Sequence, residues 1–120
     1  MTAQEFDELV ERRLGLIRAT LVSKGREYAS STDRLHNFNR GALVQGISPA
    51  ACLRGYMTKH LVSVLDIIEA VEDHEGGYVP PAELIDEKLG DLINYCVLLE
   101  AVLVAERRRH LDAQPEEAGS

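Results

Sequence analysis

Glu83, Glu87, Asp91 and Asn94 follow one another at intervals of four, four and three residues. On an α-helix that spacing sets the side chains along one stripe. A row of carboxylates can hold a divalent cation through its oxygens or handle a proton. Asp91 is the most informative member, because it begins a stretch, residues 89–105, that is apolar on nearly every side of the helix. An ionised carboxylate in such surroundings must be paired or bind a metal, since an unpaired buried charge is very costly. Two destinations are open to it. One is a metal, and the other is a salt bridge to an Arg or Lys of the first helix, with Asn94 satisfied by nearby backbone.

The preceding helix offers Asp66 and Glu69 at i and i+3. Asp73 and Lys59 each stand seven residues from Asp66, within about 20° of it in projection. These residues could face the acidic stripe. They also project roughly opposite Leu61, Leu65, Ile68 and Val71, which makes a solvated charged surface the ordinary expectation. His60 sits between Lys59 and Leu61 in an otherwise apolar stretch and is either a structural histidine or part of a site. Further upstream, Tyr28, Asp33, Arg34, Asn37 and Phe38 combine aromatic faces with amide and charged groups. Such a set can stack a base and bond its edge, or it can close a loop over a helical core.

The elements that must position these residues are helices. Phe6, Leu9, Val10, Leu14, Ile17, Leu21 and Val22 recur at helical spacing and predict a first helix over residues 4–24, ended by Gly25. Turn-forming residues fill 26–40, which predicts a long loop, with a short helix at about 40–45. Ser48-Pro49 supplies a cap and a first-turn proline for a helix reaching about His74, and Gly76-Gly77 stops it. After Pro80-Pro81 a last helix runs from Ala82 to about His110, where Arg107, Arg108 and Arg109 suit the negative end of its dipole. The expected fold is all-α: a four-helix-type bundle of three long helices and a short one. The apolar girth of the last helix calls for a central place or a subunit interface, so the core is expected to be completed by oligomerisation. Residues 1–111 form one domain, and residues 112–120 read as a disordered acidic tail.

Composition narrows the function. The chain has 120 residues and a net charge of −7, which argues against a groove tracking a nucleic-acid polymer, since such grooves need clustered Lys and Arg. Free nucleotides remain open, because they arrive with Mg²⁺ and carboxylates can hold that ion. No apolar run reaches the roughly 18 residues of a membrane span; residues 97–105 are interrupted by Glu100. The first residues have no signal-peptide organisation, so the cytoplasm is expected, and Cys52 and Cys96 are expected to be buried free thiols.

The segments KGREY (24–28), DRLHNF (33–38), KH (59–60) and EKLGDLINYCVLL (87–99) together resemble the MazG-like all-α nucleotide pyrophosphohydrolases, in particular a phage-associated branch. The resemblance covers roughly residues 10–103. It implies a helical homodimer or homotetramer that binds Mg²⁺, with Mn²⁺ as the alternative ion, and splits a nucleoside triphosphate into monophosphate and pyrophosphate. It implies that Asp66 with Glu69, and Glu87 with Asp91, are the metal-binding and catalytic carboxylates. Lys59 and Lys24 would offset phosphate charge, and Tyr28, Asn37 and Phe38 would take the base. His60, Asn94 and Tyr95 would complete the pocket. A phage-encoded member would act in the host cytoplasm.

The chain departs from the better-known pattern of Glu-x-x-Glu followed by Glu-x-x-Asp. Asp66 takes the first position, and Lys88 stands three residues before Asp91. Glu87, four residues before Asp91, lies about 40° from Asp91 in projection, so a shifted carboxylate could still share a metal. Lys88 thereby opens a second reading, a nucleotide or nucleotide-signal binder that does not hydrolyse. A third reading makes the acidic stripes solvent faces of a helical interaction module.

Overall fold

The computed structural model describes residues 1–24, 33–73 and 77–114, with Lys24 described by its backbone alone. Helix α1 spans Ala3–Arg18 and continues as a π-helical segment, Ala19–Lys24; α2 spans His36–Gln45, α3 Pro49–Asp73 and α4 Ala82–Ala113. Among the described residues there is no β-strand. The expected all-α class is what the chain adopts. The stop expected at Gly25, residues 26–32 of the expected loop, the helix end expected at His74, Gly76 and residues 115–120 of the tail lie outside the described residues.

Local chemistry sets the helix ends. Thr2 and Glu5 form a reciprocal capping box: the Thr2 hydroxyl accepts the Glu5 N–H at 3.1 Å, and the Glu5 carboxylate accepts the Thr2 N–H at 2.7 Å. Helix α2 begins at His36, four residues before the expected start, so Asn37, Phe38 and Asn39 are helical and not part of the loop. Asp33 accounts for the early start. Its carboxylate accepts the Leu35 N–H at 2.9 Å and the Asn39 amide at 3.0 Å, tying the entry to the first turn. Gly46 ends α2 at φ 68°, a left-handed conformation that favours glycine, and the Ile47 N–H reaches back to Ala42. Ser48 starts α3 by accepting the Ala51 N–H at 3.1 Å, as its position before Pro49 predicts. Helix α4 runs on to Ala113, past the expected end, so Asp112 and Ala113 are helical.

Helix α4 packs against α1 and against α3, while α2 folds onto α3. Ala42, Cys52, Leu53, Val64 and Val102 are the buried apolar residues, and they come from α2, α3 and α4. The apolar positions of α1 and α3 are only partly covered. On α1 the packed positions are Val10, Arg13, Leu16, Ile17 and Leu21, while Phe6, Leu9 and Leu14 remain exposed. On α3 the positions turned inward include Leu53, Met57, His60, Val64 and Ile67, whereas Leu61, Leu65, Ile68 and Val71 are each nearly half exposed. In both cases the apolar stripe is wider than the neighbouring helices cover: α4 for α1, and α2 with α4 for α3. Cys52 is buried and free, as expected, but Cys96 is exposed. It sits with Leu99, Leu103 and Val104 on an apolar face of α4. No helix among the described residues is long and apolar enough to cross a membrane.

Candidate functional site

The acidic stripe is real as a surface. Glu83, Glu87, Asp91 and Asn94 line one groove of about 300 Å³ between α1 and α4, together with Arg13, Leu16, Thr20, Asp86 and Gly90. Asp91 is partly buried at its inner wall. The first helix does send arginines toward α4, but they go to Asp86. Arg12 grips Asp86 with both arms, at 2.8 and 2.6 Å, and Arg13 Nη2 donates to the same carboxylate at 2.8 Å. The Arg12 hydrogen bond holds the Asp86 carboxyl below its ordinary value, assisted by the charges of both arginines and opposed by partial burial. Arg12 is raised by the same hydrogen bond.

Asp91 faces His60 of α3 instead. His60 Nδ1 lies 3.6 Å from Asp91 Oδ2, too long for a hydrogen bond and short enough for a charge pair when the imidazole is protonated. The His60 ring stacks on Tyr95, with centroids 4.6 Å apart and planes 26° from parallel. Phe38 of α2 meets Tyr95 at 6.5 Å and Tyr56 at 6.2 Å, both edge to face. A continuous path therefore runs from the groove, through Asp91, to a cluster of His60, Tyr95, Phe38 and Tyr56. Burial raises the Tyr95 phenol above its ordinary value, with smaller contributions from Tyr56 and Asp91, so it stays neutral and able to donate. Asn94 Oδ1 is buried without a hydrogen-bond partner, which removes the expectation that backbone satisfies it.

The two carboxylate pairs named by the resemblance fall in different places. Asp66 is exposed and lines a second groove, of about 280 Å³ between α3 and α4, with Ser63, Tyr78, Leu84 and Lys88. Lys88 Nζ lies 3.7 Å from Glu87 Oε1. Glu69 and Lys59 are exposed on α3, and Asn37 is exposed on the first turn of α2. The Lys24 side chain and Tyr28 lie outside the described residues. Among the described residues, no three His, Cys, Asp or Glu side chains form a group able to hold a metal ion. Glu87 and Asp91 line the same groove.

Sequence reasoning missed Tyr56 and the Arg12, Arg13 and Asp86 clamp. A signal for Arg13 exists: it stands three residues after Val10 and four before Ile17, inside the inward stripe of α1. A guanidinium at a core-facing position demands an acid across the interface. Comparisons of the chain with protein-family models, with curated proteins and with solved structures give no match.

Proposed function

We propose that this protein is a Mg²⁺-dependent nucleotide pyrophosphohydrolase of the MazG-like type, converting a nucleoside triphosphate to monophosphate and pyrophosphate. One observation carries the reading: Asp91 joins an acidic groove to an aromatic cluster, the two environments that a metal-bound phosphate chain and a base require. Glu87 and Asp91 would hold Mg²⁺, which when bound neutralises phosphate charge. His60 braces Asp91 from behind, and its own orientation is fixed by stacking on Tyr95. The base lies against the aromatic cluster, where Tyr56 is 53% exposed. A water attacks the α-phosphorus, the bond from that phosphorus to the bridging oxygen breaks, and pyrophosphate leaves. The test is pyrophosphate release from a panel of common and modified triphosphates with Mg²⁺. Release from at least one is expected, and no turnover of any would overturn the reading.

A second reading, nucleotide binding without hydrolysis, draws on Lys88, whose ammonium accompanies Glu87 while Asp66 lines the other groove. Calorimetry with and without Mg²⁺ separates the two. Tight metal-independent binding with no product identifies a binder.

The working form is a four-helix-type bundle completed as a homodimer or homotetramer in the cytoplasm. Leu61, Leu65, Ile68 and Val71 on α3, and Leu103 and Val104 on α4, are the apolar surface available to that assembly. Light scattering is expected to give two or four times the chain mass, and a monomer at micromolar concentration would refute the assembly.

A further inference from the structure

Two arginines meet one carboxylate at the α1–α4 interface, and they do so unequally. Arg12 uses both terminal nitrogens on Asp86, and its side chain is 61% exposed. Arg13 spends only Nη2 there, and its side chain is 19% exposed. The Nη1 of Arg13 is turned across Gly90: a Cβ built on that residue would lie 2.7 Å from it. Glycine in the middle of a helix is unfavourable relative to alanine, and at position 90 it leaves the space that the guanidinium occupies. Gly90 is flanked on its helix by Glu87, Asp91 and Asn94, and all of these residues line the same groove as Arg13.

We propose that Arg13 is a phosphate-binding residue of this groove, holding the terminal phosphates of the nucleotide through Nη1. The inference rests on the nucleotide reading of the site and deepens it. Three features support it. Asp86 fixes the orientation of the fork, so little freedom is lost when a ligand binds. Asp86 offers one negative charge to two guanidiniums, which leaves the clamp with a net positive charge beside the carboxylates of the groove. Finally, the planar, partly desolvated guanidinium is the side chain best matched to phosphate oxygens. Lys59, the cation that the family resemblance assigns to this task, is exposed on α3 and does not line the groove. The carboxylates on one wall and Arg13 on the other give the phosphate chain two different sources of positive charge, a metal ion and a guanidinium.

The test is calorimetry in Mg²⁺ with α,β-methylene triphosphates of the four common bases, the corresponding monophosphates, and inorganic pyrophosphate. Arg13→Gln is expected to weaken the triphosphate and pyrophosphate roughly 10- to 100-fold and the monophosphate by less than about threefold. Gly90→Ala, which displaces Nη1 and keeps the charge, should move affinity in the same direction. Arg12→Gln, which neutralises the clamp but leaves Nη1 of Arg13 in place, should lose clearly less than Arg13→Gln and without the selectivity for triphosphate and pyrophosphate. If Arg13→Gln does not fold, Arg13→Lys retains the ion pair to Asp86, loses the fork, and should still show the selective loss. Equal losses in Arg12→Gln and Arg13→Gln for all ligands would overturn the proposal in favour of a purely structural clamp. So would wild-type affinity for triphosphate in Arg13→Gln. Failure of the wild type to bind any triphosphate would remove the nucleotide reading itself, and pyrophosphate then decides Arg13 alone: binding that Arg13→Gln abolishes sustains an anion site, and no binding overturns it.

Discussion

The two flanks of α4 carry similar charges and handle them differently. Toward α1, Glu83, Glu87 and Asp91 share a groove with Arg13, whose guanidinium is pinned by Asp86. Toward α3, Asp66 and Lys88 share a groove, and Asp66 and Glu69 remain exposed. On the first flank a carboxylate is drawn partly out of water beside a histidine. On the second, Asp66 and Glu69 remain in solvent, where their interactions are weak, and the partly buried charge is Lys88. Asp91 is the carboxylate of the two flanks that the proposed reading needs, held partly out of water and within reach of an imidazole.

The largest expected effect that could break this contrast is a pair of isosteric changes. Asp91→Asn should lower pyrophosphate release on the order of 100-fold or more, while Asp66→Asn should change it by about twofold or less. Equal losses would show that both flanks serve one site, as the carboxylate pattern of the resembling family implies. Next in size, His60→Ala removes the ring behind Asp91 and the stacking partner of Tyr95. It should cost activity by roughly tenfold or more, in the range of supporting residues around a metal site, with the melting transition shifted less than in Leu53→Ala. A truncation at the fully buried Leu53 should cost about 2–5 kcal/mol.

The smallest effect is in acid. Because Arg12 and Arg13 lower the Asp86 carboxyl in the folded chain, the unfolded chain binds the proton more readily. The stabilisation is fully present above the ordinary value of 3.8 and is lost as pH falls through the lowered one. Urea midpoints of wild type and Asp86→Asn should therefore differ most near neutral pH and converge in strong acid. A gap that persists unchanged at pH 2 would mean the clamp is not held by charge.

Much of the fold was legible because its signals are local. Ser48-Pro49 starts α3 through a bond three residues long, and the spacing from Glu83 to Asn94 fixes one stripe without reference to any other helix. Of the candidate site, spacing alone singles out Asp91, while Tyr95 enters only through the resemblance, and the stacking of His60 on Tyr95 has no local signal. It was not legible where the partner is remote. Arg13 and Asp86 are separated by 73 residues, and nothing in local pattern says which acid an inward arginine will meet. The early start of α2 was missed because Asp33 and Asn39 both read as turn formers, and here they bond each other. The exposure of Phe6, Leu9 and Leu14 on α1 and of Leu61, Leu65, Ile68 and Val71 on α3 was not legible, because periodicity reports an apolar stripe and only packing decides how much of it is covered.

Gly41 lies so close to Cys52 that a Cβ there would stand 2.9 Å from the thiol sulfur. Helix α2 therefore seals that thiol, while Cys96 meets solvent directly. In a Cys96→Ser background the chain carries its own reporter of opening. An alkylating reagent can reach Cys52 only when α2 lifts from α3, so the labelling rate becomes a clock for that local motion, independent of any ligand.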